Sequence, residues 1–306
     1  MKVRFSVLIP VFNIERYVRQ TIDSVLSQSF TDYEVIVIDD GSTDQTLQVL
    51  ESYGKRIKLI RQPNQGPEVA RNKGAALAHG EYLAMLDHDD LFLPYTLATY
   101  DQIIRTFDSP PLIIGSVKNF RDGQSIPAEA QASRQVQILR YPDYLSKDVP
   151  LGHFTSQIVI RKSVFDKVGG YGNSGVVPSP DDVNLLLKVG TYGPCIVVQK
   201  PYTFAYREYE TQGKRNLKAI ASGILGLARS EHQGRYPGGR KRRSARYAVI
   251  GGLAATYAVN YCWRGEQRKL ALRLLLGTVP MVFAAICKKF LRYLRQPTQP
   301  IVLPEE

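Results

Sequence analysis

The residues best equipped for chemistry are carboxylates gathered in three short clusters. Asp87-His88-Asp89-Asp90 places three carboxylates within four residues, directly after an apolar run. Groups packed so closely repel one another, so the cluster needs a hard cation or a set of donors to offset its charge. Carboxylates on a tight turn suit Mg2+ or Mn2+, with phosphate oxygens completing the octahedron. The plainer alternative is an acidic turn that caps a helix opening at Leu91. A hard cation prefers oxygen, so the expected role of His88 is positioning. In the second cluster, Asp39-Asp40-Gly41-Ser42-Thr43-Asp44, the last three residues suit a helix start. Asp39 ends an apolar run and is expected to face a crevice, where a carboxylate accepts hydrogen bonds from a nucleobase N–H or a ribose hydroxyl. The third cluster, Asp181-Asp182, precedes a leucine-rich helical pattern. A helix dipole favours acidic residues there, and a carboxylate held on a rigid helix start can also act as a general base.

Those clusters need a scaffold that presents them together. Residues 5–11, 33–38, 57–60 and 82–86 are short apolar runs of the kind that form buried parallel strands. Ile14, Tyr17, Val18, Thr21, Ile22, Val25 and Leu26 recur on one helical face, and helices are expected over 43–53 and 66–78. Alternation of strand and helix through residue 86 implies a parallel sheet with helices on both faces and right-handed crossovers. In such sheets ligands bind beyond the carboxyl ends of the strands, and the first two acidic clusters follow strands directly. Further strands are expected over 112–120, 156–160, 196–198 and 203–206, with helices over 162–168 and 181–189. The polar stretch 121–136 reads as a mobile loop, and His153 as a residue that could line an acceptor side. There is no GxSxG nucleophile turn, no GxxxxGK[ST] and no GxGxxG after the first strand.

Together these residues resemble the inverting nucleotide-sugar glycosyltransferases of family two. The likeness is carried by Ser6 to Asn13, Val37 to Asp44, Asn64-Gln65-Gly66, Ala70 to Gly74 and Gly80 to Asp90. It continues with Ile160 to Tyr171 and Tyr206-Arg207. It implies an α/β fold of GT-A type, with a mostly parallel central sheet, helices on both faces and a C-terminal helical extension. It also implies a nucleotide-diphosphate sugar donor, with a UDP-sugar expected, and a Mg2+ or Mn2+ cofactor. By that likeness Asp39 contacts the base, and Pro10 and Phe12 line the nucleotide pocket. Asn13, Gly66, Arg71, Asp87 and His88 stand with them on the donor side. Asp87 and Asp89 form the DxD pair, with Asp89 the main metal ligand. The base comes from Asp181-Asp182, with Asp182 as the proton acceptor, although the family often has Glu where this chain has Asp181. The QxxRW motif of the processive polymerases is absent, which points to transfer of a single sugar. The expected acceptor is a saccharide or lipid-linked hydroxyl in cell-surface glycan or lipid-linked saccharide synthesis.

Charge divides the chain. Residues 214–306 hold 18 Lys and Arg against 4 Asp and Glu, whereas residues 1–213 are close to neutral. A nucleic-acid enzyme would spread basic charge around its cleft, so no nucleic-acid partner is expected. A basic tail on a neutral body suits attachment to an anionic membrane surface. The expected organisation is a catalytic domain over 1–213, with a donor half to about residue 95 and an acceptor half from 96, and a basic helical extension over 214–306. The uncharged stretches 247–263 and 274–287 are shorter than the roughly 20 apolar residues of a spanning helix. Helices near 245–262 and 268–294 are therefore expected to pack or lie at an interface. No signal peptide is read at the start, and Cys195, Cys262 and Cys287 form no disulfide framework. The expected location is cytoplasmic, peripheral on the cytoplasmic face of a membrane.

Overall fold

The computed structural model describes residues 3–126, 135–148, 155–172, 180–209, 217–263, 267–293 and 297–304. Strand β1 (Phe5–Val11) is buried along its whole length. It pairs in parallel with β2 (Tyr33–Asp39) and β4 (Tyr82–Met85), and β2 pairs in parallel with β3 (Lys58–Arg61). Alternate residues serve opposite faces, as the pleat requires. Leu8, Ile36, Ile38 and Met85 enter one core, and Val7, Ile9, Val37 and Ala84 enter the other. The crossovers are the helices Val18–Leu26, Thr46–Glu51 and Pro67–Ala76.

Beyond β4 the sheet becomes mixed, with two strands running against the other seven, which keep the mostly parallel arrangement expected. Strand β9 (Ile158–Arg161) is antiparallel to both β4 and β6 (Leu112–Ile114). Strand β10 (Cys195–Lys200) is parallel to β6 and antiparallel to β8 (Gln137–Tyr141), and β12 (Ile301–Val302) closes the edge on β8. An apolar run shows that a strand is buried but not which way it points, so periodicity alone does not reveal this reversal. The expected strand 112–120 is two strands. At Gly115 a Cβ would collide with the hydroxyls of Tyr100 and Thr203, and there the chain leaves the large sheet. Strand β7 (Val117–Arg121) joins a small sheet with β11 (Phe204–Glu208) and β5 (Leu91–Phe92). The residues after the acidic turn are therefore β5 rather than a helix starting at Leu91. The next helix is Thr96–Thr106, whose buried Thr, Asp and Gln residues hide its periodicity.

The basic stretch forms helices Leu217–His232, Arg243–Thr256, Arg268–Leu276 and Val279–Tyr293. It shares a core with the sheet, since Leu185 and Cys195 lie in one cluster with Ile224, Ile250, Leu274 and Met281. In place of one helix over 268–294, the chain turns by 81° between Leu276 and Val279. Among the described residues no single helix is long and apolar enough to cross a membrane; that bent pair reaches the length only when its two helices are taken together. His153 and the boundary expected after residue 213 lie outside the described residues.

A buried ion pair fastens this region. Arg246 and Glu231 are 2% and 1% exposed and meet through two hydrogen bonds of 2.5 and 3.0 Å. Arg246 also donates to the carbonyls of Pro237 and Gly239 at 2.6 and 2.8 Å, which fixes the Gly/Pro-rich link between two helices. Removing Arg246 leaves the buried Glu231 with only the looser Arg243 Nε, 3.7 Å away. Arg246→Met should therefore lower stability by ~3–5 kcal/mol in urea unfolding, and adding Glu231→Leu should restore most of the loss. A single variant as stable as the parent would show that the pair does not fasten the link.

Candidate active site

The acidic turn follows β4, beside the carboxyl end of β1. It is built so that each negative group has an assigned neighbour. Asp87 Oδ1 accepts from Arg71 Nη2 at 2.5 Å. Arg71 is 5% exposed and stacks over the Tyr171 ring at 5.4 Å. The Asp87 N–H donates to Ser156 Oγ at 3.0 Å, and the Ser156 hydroxyl donates to Asp90 Oδ2 at 2.6 Å. Burial, and then the charges of Asp87 and Asp89, hold the Asp90 carboxyl well above the usual carboxylate range. Asp89 Oδ2 accepts from the Tyr209 hydroxyl at 2.9 Å, and the Asp89 carbonyl accepts from Arg207 Nε at 2.9 Å. His88 Nδ1 lies 3.1 Å from the Pro10 carbonyl, so the imidazole ties the turn to β1.

Arg207 braces this turn from below. It is buried between the rings of Tyr17 and Phe120, at 4.6 and 4.8 Å, and donates to Gln20 Oε1 and Asp122 Oδ1 at 2.6 and 3.3 Å. Asp122 also accepts from Arg16 and Tyr17, at 2.6 and 2.9 Å. The start of the expected mobile loop 121–136 is thus anchored at the site, while residues 127–134 lie outside the described ones.

Asp39 occupies the end of β2 and is fully buried. Its Oδ1 accepts from the Ser42 N–H at 3.0 Å. Its Oδ2 has Arg61 Nε at 3.3 Å as an ion pair but receives no hydrogen bond, which leaves a buried acceptor unfilled. Asp40 instead organises the next turn, accepting from Gln62 Nε2, the Gln65 N–H and the Gly66 N–H at 2.8, 2.9 and 2.8 Å. Gly41 allows the approach: its φ is +81°, and a Cβ there would sit 2.9 Å from the Asn64 nitrogen. Asn13 crosses to the same loop, donating from its N–H to Ser42 Oγ at 3.1 Å and accepting from the Thr43 N–H at 2.8 Å. Pro10 is buried, and Phe12 is 40% exposed beside these residues.

Asp181 and Asp182 begin the helix Asp181–Val189. Burial pushes the Asp182 carboxyl up to about 6; the Val183 N–H opposes the shift, the Asp87 charge adds to it, and Arg71 opposes it. The Tyr171 phenol feels Arg71, Asp182, Asp87 and Asp181 at once, so members of the first and third clusters both lie near this ring. The structure thus gathers Asp87, Asp181 and Asp182 around Arg71 and Tyr171, with Asp89 further along the turn at Tyr209 and Asp39 at the end of β2. Arg71, placed by the sequence among the nucleotide contacts, is engaged by Asp87 and Tyr171. Tyr209, Ser156, Gln20 and Asp122 carry no motif that marks them, and only folding brings them to the turn.

Residues 6–169 match the model of the family described as glycosyl transferase family 2. The chain belongs to that family. An uncharacterised glycosyltransferase of Rickettsia typhi is 38% identical over 109 residues, 36% of this chain and 34% of that protein. The putative glycosyltransferase EpsH of Bacillus subtilis is 38% identical over 113 residues, 36% of this chain and 32% of that protein. The uncharacterised glycosyltransferase YibD of Escherichia coli is 30% identical over 174 residues, 54% of this chain and 50% of its own length. The matches therefore span a third to a half of these relatives. Among solved structures, Staphylococcus aureus TarS 1–349 with UDP-GlcNAc aligns at TM-score 0.69 and 17% identity, over 95% of this chain and 89% of that one. The mannosyltransferase PcManGT of Pyrobaculum calidifontis, with GDP-Man and Mn2+, aligns at TM-score 0.52 and 16% identity, over 97% and 82%. At such identities the likeness concerns the fold, and the fold of this family 2 member is of GT-A type.

Proposed function

We propose that this protein transfers a single sugar from a nucleotide-diphosphate donor to an acceptor hydroxyl, with inversion at the anomeric carbon. The observation that carries this reading is Asp182, a carboxylate fixed on a helix start, raised to about 6 and facing the acidic turn. A group with that pKa is ionised at neutral pH and still basic enough to take a proton from an attacking hydroxyl. The hydroxyl then attacks from the face opposite the diphosphate. The unfilled Asp39 Oδ2 suits a nucleobase N–H, and the bound UDP-GlcNAc and GDP-Man of the two structural neighbours support a nucleotide-sugar donor.

A divalent cation fits the turn by its donor chemistry. Arg71 and Tyr209 each engage one oxygen, on Asp87 and Asp89 respectively. Among the described residues no group of three or more His, Cys, Asp or Glu could hold a metal. The reading rests instead on Mg2+ or Mn2+ being commonly held by one or two carboxylates and completed by donor phosphates. When bound, such an ion offsets charge developing on the departing diphosphate. Asp89 is the principal ligand in this reading.

We also propose that the enzyme sits on an anionic membrane, where a lipid-linked or saccharide acceptor is presented. Leu272, Leu276, Val279, Phe283, Ile286 and Phe290 are between 53% and 67% exposed and follow one another along the bent helix pair. Lys269, Arg273 and Lys289 are exposed beside them. Between residues 214 and 304 the sequence has only two acidic residues, Glu231 and Glu266. A second copy of this face would bring like charge against like, whereas an anionic bilayer complements it.

In a pH profile, kcat should fall as pH drops through about 6, because Asp182 then takes up a proton and ceases to be a base. Asp182→Asn should lower kcat about 10²-fold or more at neutral pH and leave donor affinity nearly unchanged. Wild-type rates in that variant would place the base elsewhere, with Asp181 the next to test. Asp89→Asn should abolish turnover and weaken nucleotide-diphosphate binding, and full activity in excess chelator would refute the metal reading. Co-sedimentation with phosphatidylserine vesicles at low salt should retain the full chain and release it at high salt. Phe283→Ser with Phe290→Ser should prevent retention. A parent chain that stays in the supernatant would refute the membrane reading and leave sugar transfer untouched.

A further inference from the structure

A cleft of about 440 Å³ lies between the turn Tyr144–Ser146 and the helices Arg243–Thr256 and Val279–Tyr293. Its charged lining comes from Lys147, Asp148, Arg242, Lys288 and Arg292. Lys147 is 6% exposed, and its ammonium lies 3.5 Å from the centre of the Tyr144 ring. Among the described residues no carboxylate pairs with it. Arg292 Nε is buried and has no hydrogen-bond partner. Lys288 reaches across to the Leu145 carbonyl at 3.2 Å.

The two acids nearby are already engaged. Asp148 accepts from the Tyr141 hydroxyl and from Thr298 Oγ1, at 2.5 and 2.7 Å. Asp143 pairs with Arg242. The adjoining stretches 149–154 and 294–296 contain no Asp or Glu. Burial, and then the Lys288 charge, push the Lys147 ammonium down to about 7; the nearby Cys195 opposes this and Arg292 adds to it. That is the direction expected for a buried ammonium with like charges beside it. A buried cation and a buried, unfilled donor are both costly to leave unpaired, so the cleft is formed for an anion.

We propose that this cleft binds the phosphate group of an anionic membrane lipid. A phosphate offers several acceptor oxygens and enough charge for Lys147, Lys288 and Arg292 together. The rest of the wall is apolar, with Leu145, Ala284 and Leu291. The exposed Phe283, Ile286 and Phe290 belong to the same helix as Lys288 and Arg292, one face round from the cleft. A head group in the cleft therefore leaves acyl chains beside an apolar surface. The lipid source rests on the membrane attachment proposed above, whereas a soluble phosphate monoester would satisfy the same cations without it.

The test uses the full chain, with phosphatidylcholine vesicles carrying phosphatidic acid as the membrane probe and glycerol 3-phosphate as the free one. Lys147→Met with Arg292→Gln removes two cations from the cleft. Lys269→Gln with Arg273→Gln removes two from the exposed face outside it. The cleft pair should lose about 5-fold or more in vesicle affinity beyond the loss of the exposed pair. Both pairs should keep the parent's melting temperature and sugar transfer. If the cleft pair melts early, Lys288→Gln on its half-buried position replaces it. Equal losses from the two pairs would overturn the cleft while leaving membrane attachment in place. Phosphorus NMR showing glycerol 3-phosphate bound at Lys147, with no vesicle binding by the parent chain, would overturn the lipid source together with the attachment. Binding of neither probe would overturn the proposal outright.

Discussion

Repulsion among the carboxylates at the end of β4 is the interaction around which the site is organised. Asp87, Asp89 and Asp90 share one short turn, and the groups that hold the turn come from three distant parts of the chain. Arg71 arrives on the helix after β3, Ser156 on the turn before β9, and Arg207 on the strand β11. Each of these contacts requires a strand or helix to be where it is. The small sheet is the clearest case. Strand β11 lies between β5 and β7, so that Arg207 passes under the turn and reaches Gln20 and Asp122 on the far side. The mixed half of the large sheet follows from the same need, since β9 must run against β4 to deliver Ser156 beside Asp90.

The same electrostatics sets Asp182. Its carboxyl is raised by burial and by Asp87, and restrained by Arg71. Arg71 is thus shared between the acidic turn and the expected base. A neutral residue in its place would remove the Asp87 ion pair and let the Asp182 carboxyl rise further. One buried guanidinium over the Tyr171 ring therefore joins the acidic turn to the start of the helix that carries Asp182.

Much of the donor half was legible in the sequence because its strands are continuous apolar runs and its acidic residues follow them directly. The helix Asp181–Val189 was legible for the same reason, with acids at its start and leucines along one face. What could not be read were features set by contacts between distant residues. The expected strand 112–120 divides between two sheets at Gly115, where Tyr100 and Thr203 leave no room for a side chain. The helix Thr96–Thr106 buries Thr96, Asp101 and Gln102, which conceals its apolar face. Tyr209 and Asp122 are unremarkable in the sequence and become part of the site only through Asp89 and Arg207.

The basic stretch shows why charge alone does not define a separate module. Its excess of Lys and Arg suggested an appendage, yet its apolar residues complete the core behind β10. Gly251 lets the helices Arg243–Thr256 and Val279–Tyr293 approach until a Cβ at that glycine would strike the Met281 carbonyl. That packing fixes which side of the last helix faces inward. Met281 is buried, so Phe283, Ile286 and Phe290 are left facing outward. The same rotation brings Lys288 and Arg292 against the turn that carries Lys147. Close helix contact at one glycine thus decides at once which residues complete the core, which remain exposed and which gather as a cationic cleft.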